Sequence, residues 1–169
     1  MSSSDPESRR RSQLLSLALR AVRQTRSMTT RQIAAAMGLP PRSYLHFEAG
    51  GGRLSVDLVF RFAQATDSDP YAILAAVFLG MPELAAYCAN NKMMIAMAIA
   101  LQEFTTEQGP EIQRLETTTL VAAFSNLFQG LATEIRSQAD WAEKFLHQKS
   151  PNVGVPTKRK PPDKAEDDD

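Results

Sequence analysis

Thr29, Gly38, Pro40-Pro41 and Gly50 divide 22 residues into two short helices with almost no chain between them, and this spacing constrains the fold more than any other feature. Thr29 is a good N-cap, and Ile33, Ala34 and Met37 form the apolar side of a helix of about two turns. That helix stops at Gly38, the residue best able to take a left-handed C-terminal conformation. Leu39-Pro40-Pro41 restarts the chain at once, because proline is tolerated in a first turn where its missing N–H has no partner anyway. The next helix runs from about Pro41 to Ala49 and breaks at Gly50-Gly51-Gly52. The small Ala34 lets the two helices approach closely.

Helical signals continue on both sides. From Gln13 to Arg26 the apolar residues Leu14, Leu15, Ala18, Leu19 and Val22 recur at three- and four-residue steps, opposite Ser16, Arg20 and Gln24. Ser55 opens a fourth helix with Val56, Val59, Phe60 and Ala63 on one face. Asp67-Ser68-Asp69-Pro70 ends it and caps a fifth, Tyr71 to Leu79, apolar enough to be buried. Five short helices over residues 13–80 predict one compact domain. Residues 1–12 are polar, end in Arg9-Arg10-Arg11, and are expected to form a disordered basic arm.

Beyond Gly80-Met81-Pro82 the pattern changes to fewer, longer helices, so residues 81–148 are expected to form a second helical domain. One or two helices cover Glu83 to Gln108, with Asn90-Asn91 as the natural interruption, and Gly109-Pro110 forces a turn. From Glu111 to Gln148 no proline occurs. Leu120, Phe124, Leu127, Leu131 and Ile135 form one apolar stripe, and Val121, Phe128, Ile135 and Ala142 form another at seven-residue steps. So wide a surface packs either on helices of the same chain or across a homodimer interface. The interface candidates are Leu120, Val121, Phe124, Leu127, Phe128, Leu131 and Ile135. Met93, Met94 and Met97 suit an adaptable ligand pocket or, the commoner role of Met at helical spacing, gap-filling core. Residues 149–169 hold four prolines and the run Lys158-Arg159-Lys160, and are expected to be a disordered tail.

The zero net charge conceals opposite halves. Residues 1–80 carry ten arginines, no lysine and six acids, a balance of +4, whereas residues 81–148 carry four bases and eight acids, a balance of −4. A basic first half suits a polyanion, and the acidic second half faces elsewhere. Cys88 stands alone, so neither an internal disulfide nor a structural zinc site is expected, and no cofactor or metal is called for. His46 and His147 belong to no nucleophilic constellation, and Gly50-Gly51-Gly52 lacks the Lys and Ser/Thr of a phosphate loop, which argues against an enzyme. The longest apolar run, Met93 to Leu101, is about half the length needed to span a bilayer, and the polar N-terminus lacks a signal sequence's apolar core. No membrane association is expected.

The stretch from Met28 to Gly50 resembles the phage-repressor-like (XRE or Cro-like) helix-turn-helix family, and the resemblance extends over residues 14–79. Thr29 falls at the family's capping Thr, Ile33-Ala34 at its Leu-Ala pair and Gly38-Leu39 at the Gly-Val of its turn. Tyr44 and Phe47 occupy its two buried apolar positions, and Glu48-Ala49-Gly50 its Glu-x-Gly. Leu54-Ser55-Val56-Asp57-Leu58 resembles its entry to the fourth helix. Arg23 sits where the family often has an arginine that pairs with that glutamate, which implies a structural ion pair between Arg23 and Glu48.

The resemblance implies an all-α domain whose third helix lies in the DNA major groove. By position, Pro41, Arg42, Leu45 and His46 point toward base edges, and Thr30, Arg31, Ser43 and Arg53 toward phosphates. Arg42 is the best reader, since its planar fork matches O6 and N7 of one guanine. His46 suits a base or a phosphate, and Leu45 a thymine methyl. Thr30 stands where the family usually has Gln, and Pro41 leads the recognition helix, so direct base donors are few. The implied protein is a homodimeric transcriptional regulator of double-stranded DNA in a bacterial or phage cytoplasm, associated with the nucleoid. The alternative is a protein-interaction module whose acidic C-terminal part binds a polymerase, a regulator or a toxin, with DNA binding auxiliary.

Overall fold

The structure is a computed structural model that describes residues 6–52 and 54–149. Among these residues the elements are α1 (Pro6–Thr25), α2 (Thr30–Ala36), α3 (Pro41–Glu48), α4 (Val56–Ala65), α5 (Pro70–Leu79), α6 (Glu83–Tyr87), α7 (Met93–Gln108), a 3-10 turn (Gly109–Arg114) and α8 (Thr117–Lys149), with no strand. The protein is all-α: a five-helix helix-turn-helix arrangement followed by further helices. No helix among the described residues is long and apolar enough to cross a membrane.

Local chemistry sets the helix ends of the first unit. Thr29 Oγ1 accepts the Gln32 amide while Gln32 Oε1 accepts the Thr29 amide at 2.8 Å, a reciprocal capping box. α2 closes with Gly38 at φ +62°, where the Gly38 amide reaches the Ala35 carbonyl at 3.0 Å and the Leu39 amide the Ala34 carbonyl at 2.9 Å. α3 ends the same way, through Gly50 at φ +75° and a 2.8 Å bond from the Gly51 amide to the His46 carbonyl. Ser55 caps α4 and Asp69 caps α5.

The chain departs from expectation at its start. α1 begins at Pro6, so residues 6–12 are helical rather than part of a disordered arm. Proline suits the first helical turn, Glu7 offsets the positive helix end, and Glu7 Oε1 pairs with Arg11 Nε four residues on at 3.1 Å. The Arg11 guanidinium also lies 5.9 Å from the Phe78 ring centroid, a contact across the fold that no local pattern reveals. Residues 1–5 of the expected arm, and residues 150–169 of the expected tail, lie outside the described residues.

One core unites the first unit. Leu15, Ala18, Leu19 and Val22 of α1 pack with Ile33 and Ala34 of α2, Tyr44 and Phe47 of α3, Val59, Phe62 and Ala63 of α4, and Ile73, Ala76 and Val77 of α5. Phe62 stacks near Tyr44 at 6.5 Å between centroids and meets Phe47 edge-on at 6.4 Å. Three assignments of facing change. Ser16 is buried rather than opposite the core. Phe62 is the buried aromatic of α4, while Val56 and Phe60 are exposed, and Phe60 meets Tyr71 edge-on at 5.5 Å. α5 is buried on one side only, leaving Tyr71, Phe78 and Leu79 exposed despite its uninterrupted apolar sequence.

The boundary also moves. The structure divides between Pro110 and Glu111, not between Gly80 and Met81. Gly80 caps α5 at φ +71°, and the short α6 then packs on α1 and α5, with Ala85 buried in it and Cys88 and Ala89 buried just after it. α7 follows in the same unit with no fully buried residue. Met93 and Met94 are half-buried and Met97 is exposed, so these methionines do not fill the core.

In the second unit α8 runs 33 residues, about 50 Å at the helical rise. Residues 117–133 contain no charged side chain. Val121, Phe124, Leu127, Phe128, Leu131 and Ile135 are all exposed, and Leu120 is half-buried.

Candidate nucleic-acid interface

The two sides of α3 have separate tasks. Tyr44, Phe47 and Glu48 are buried, while Pro41, Arg42, Ser43, Leu45 and His46 face solvent. The inward side is held by a polar pair within an otherwise apolar core: Arg23 Nε of α1 lies 2.6 Å from Glu48 Oε1. The Tyr44 hydroxyl donates to the same oxygen at 2.8 Å. Burial, then the hydrogen bond to Glu48 and its negative charge, push the Tyr44 phenol well above its ordinary value. The carboxylate of Glu48 is thereby neutralised inside the protein rather than displayed beside the outward face.

The outward side carries neighbours at helical spacing. Pro41 and Leu45 are four residues apart, as are Arg42 and His46, so the four occupy two adjacent rows of α3. Leu45 is half exposed, a large apolar side chain on an otherwise polar surface. His46 is exposed, yet its imidazole lies over the Gly51 backbone: a Cβ at Gly51 would fall 2.3 Å from its Cε1. That ring leans toward the glycine turn as much as outward. Arg31 is exposed and Thr30 half-buried at the start of α2. Arg53 lies outside the described residues.

Two supports of this face were not legible as motifs. Arg61 of α4 donates through Nη2 to the Met37 carbonyl at the end of α2, bracing the turn that leads into α3. Its only sequence signal is an arginine on an amphipathic helix. Gly50 allows the chain after α3 to press on α1, since a Cβ there would stand 2.2 Å from the Ser12 carbonyl oxygen.

Two helices with this turn, a buried seam and an outward row led by an arginine have the geometry that enters a major groove. Residues 19–73 match the helix-turn-helix family model. No curated protein and no solved structure matches the chain. The match spans α2, α3 and α4 whole, together with part of α1 and the start of α5, so residues 19–73 are a DNA-binding helix-turn-helix domain of the phage-repressor-like (XRE/Cro-like) family.

Proposed function

We propose that the protein is a sequence-specific regulator of transcription that binds duplex DNA as a homodimer in a bacterial or phage cytoplasm, on the nucleoid. The observation that carries this reading is the outward face of α3, where Arg42 stands exposed while the acidic residue of the same helix is buried against Arg23. Arg42 reads a guanine edge, Leu45 covers a thymine methyl, and Pro41 and His46 border the same base pairs. Thr30, Arg31, Ser43 and Arg53 meet the phosphates and give the salt-dependent share of the affinity.

The homodimer is supported by α8. From Val121 to Ile135 its apolar side chains form a row about 21 Å long, at seven-residue recurrence, that stays exposed among the described residues. The stretch 117–133 is uncharged, so an identical copy meets no like-charge repulsion along it. Pairing doubles a modest set of base contacts and makes the site a palindrome.

Selection of bound sequences from a random duplex library, together with sedimentation of the purified chain, tests the reading. A recurring palindrome bound by a dimer is expected. A persistent monomer that selects no sequence overturns it, and favours a protein partner on the bare face of α8.

A further inference from the structure

The carboxylate of Asp69 is wholly buried and serves two helices at once. Its Oδ1 accepts the Ala72 amide at 3.1 Å, the N-cap bond of α5. Its Oδ2 accepts the amides of Met94 and Ile95, at 2.8 and 3.0 Å, in the first turn of α7. Both helices point their positive ends at one negative charge, and bonds of this charge-assisted kind are the strong ones.

A second set of bonds surrounds it. Lys92 Nζ lies 3.0 Å from Asp67 Oδ1 and donates to the Asp67 carbonyl as well. This cation draws the Asp67 carboxyl below its ordinary value. Arg26 donates to Asn90 Oδ1 at 2.6 Å, to the Ala89 carbonyl at 3.0 Å and to the Asp67 carbonyl. Among the described residues, the non-glycine positions with left-handed φ are Ser27, Asp67 and Lys92, at +52°, +46° and +54°. All three lie in the chain segments that these bonds join, and such backbone persists where surrounding structure over-determines it.

α7 itself is the opposite of this junction. Residues 93–102 carry no charge, Met93 to Leu101 is apolar on every side, and Ile99, Leu101 and Phe104 are exposed. A helix apolar all round is normally enclosed. Over residues 93–102 the same helix of a second copy meets no like charge, and a second copy is the occupant that the homodimer reading already calls for.

We propose that Asp69 is a positioning residue that makes α7 a rigid arm of the helix-turn-helix unit, so that a second copy bound through α7 holds the two recognition helices at one separation. This role of Asp69 rests on the homodimer reading. Asp69 then acts on DNA selection through α7, without touching DNA.

The test uses the full chain with Asp69→Asn, whose single side-chain oxygen cannot serve both helices, and with Lys92→Gly, which removes the outer ion pair and suits the left-handed backbone. Amide hydrogen exchange reads the joint, and binding to duplexes carrying one half-site, or two at varied separations, reads the arm. In Asp69→Asn, exchange at Met94 and Ile95 is expected to accelerate at least tenfold. Affinity for one half-site is expected to stay within twofold, and preference for one separation to fall at least tenfold. Lys92→Gly is expected to move both readouts in the same direction by less, and carries the test if Asp69→Asn does not fold. Separation preference that survives in both variants despite accelerated exchange overturns this proposal alone. A wild-type chain that is monomeric or indifferent to separation defeats the homodimer reading and this proposal with it.

Discussion

Arg23 and Glu48 join the first helix to the last turn of α3 through a 2.6 Å ion pair, and the Tyr44 hydroxyl binds the same carboxylate oxygen. The side chain of Glu48 is 6% exposed and that of Arg23 23% exposed, so the pair sits at the edge of the core. Removing one partner there leaves a poorly hydrated charge, which costs more than the intact pair contributes. Arg23→Met is expected to destabilise the domain by about 2–4 kcal/mol, discounted for the partial exposure of Arg23, and Glu48→Gln by less, since the amide still accepts from Tyr44. Urea unfolding of the two variants checks the order; equal, small losses would show that the pair does not hold α3.

The phenol of Tyr44 responds to alkali in the same network. Its value is raised in the folded state, by burial first and by Glu48 next, so the neutral form is favoured by folding. Its contribution is therefore fully present below the ordinary tyrosine value near 10 and is lost as pH rises beyond it. In a phenolate absorbance titration, one of the three tyrosines is expected to ionise only as the domain unfolds. Tyr44→Phe is expected to abolish that late fraction; its persistence in the variant contradicts the assignment.

Gly50 is required for two reasons that act together: its φ of +75°, and the Ser12 carbonyl oxygen that would stand 2.2 Å from any Cβ placed there. Left-handed backbone alone costs a non-glycine residue roughly 1–2 kcal/mol. Gly50→Ala is expected to cost more than about 2 kcal/mol, because backbone rather than a pliable side chain stands in the way. Gly52→Ala, where a Cβ meets nothing within 4 Å, is expected to cost only the backbone share. Thermal unfolding of the pair separates the two effects.

Much of the first unit was legible because its helix ends are local chemistry. Thr29, Gly38, Ser55 and Asp69 declare themselves by residue type and position, and the structure places each at a helix end. What escaped is non-local. A polar start to α1 reads as an unstructured arm until Phe78 is brought beside Arg11. Phe60 and Phe62 compete for one core position, and only the placement of Tyr44 and Phe47 favours Phe62. The brace from Arg61 and the second role of Asp69 bridge elements 24 and 25 residues apart, beyond any periodic pattern. On the candidate DNA face, residue type marked the outward row of α3, but the lean of His46 over Gly51 depends on a backbone path that composition does not encode.

The bare row of α8 makes a separate expectation. Phe128, half exposed near its centre, becomes buried in the proposed homodimer. Phe128→Asp is expected to shift the protein to monomers in sedimentation at micromolar concentration, with the helical circular dichroism retained and affinity for a palindrome lowered at least tenfold. A dimer that survives the aspartate places the interface elsewhere.

In the proposed function the outward face of α3 selects a DNA sequence, with Arg42 as its principal reader. Genome-wide mapping of bound sites in the source cell, for the natural chain and for Arg42→Ala, tests this most directly. A few sharp peaks that share a palindrome are expected, lost or relaxed at one base position in the variant, corresponding to about 1–3 kcal/mol of discrimination. Diffuse occupancy, or sharp peaks indifferent to Arg42→Ala, would contradict it.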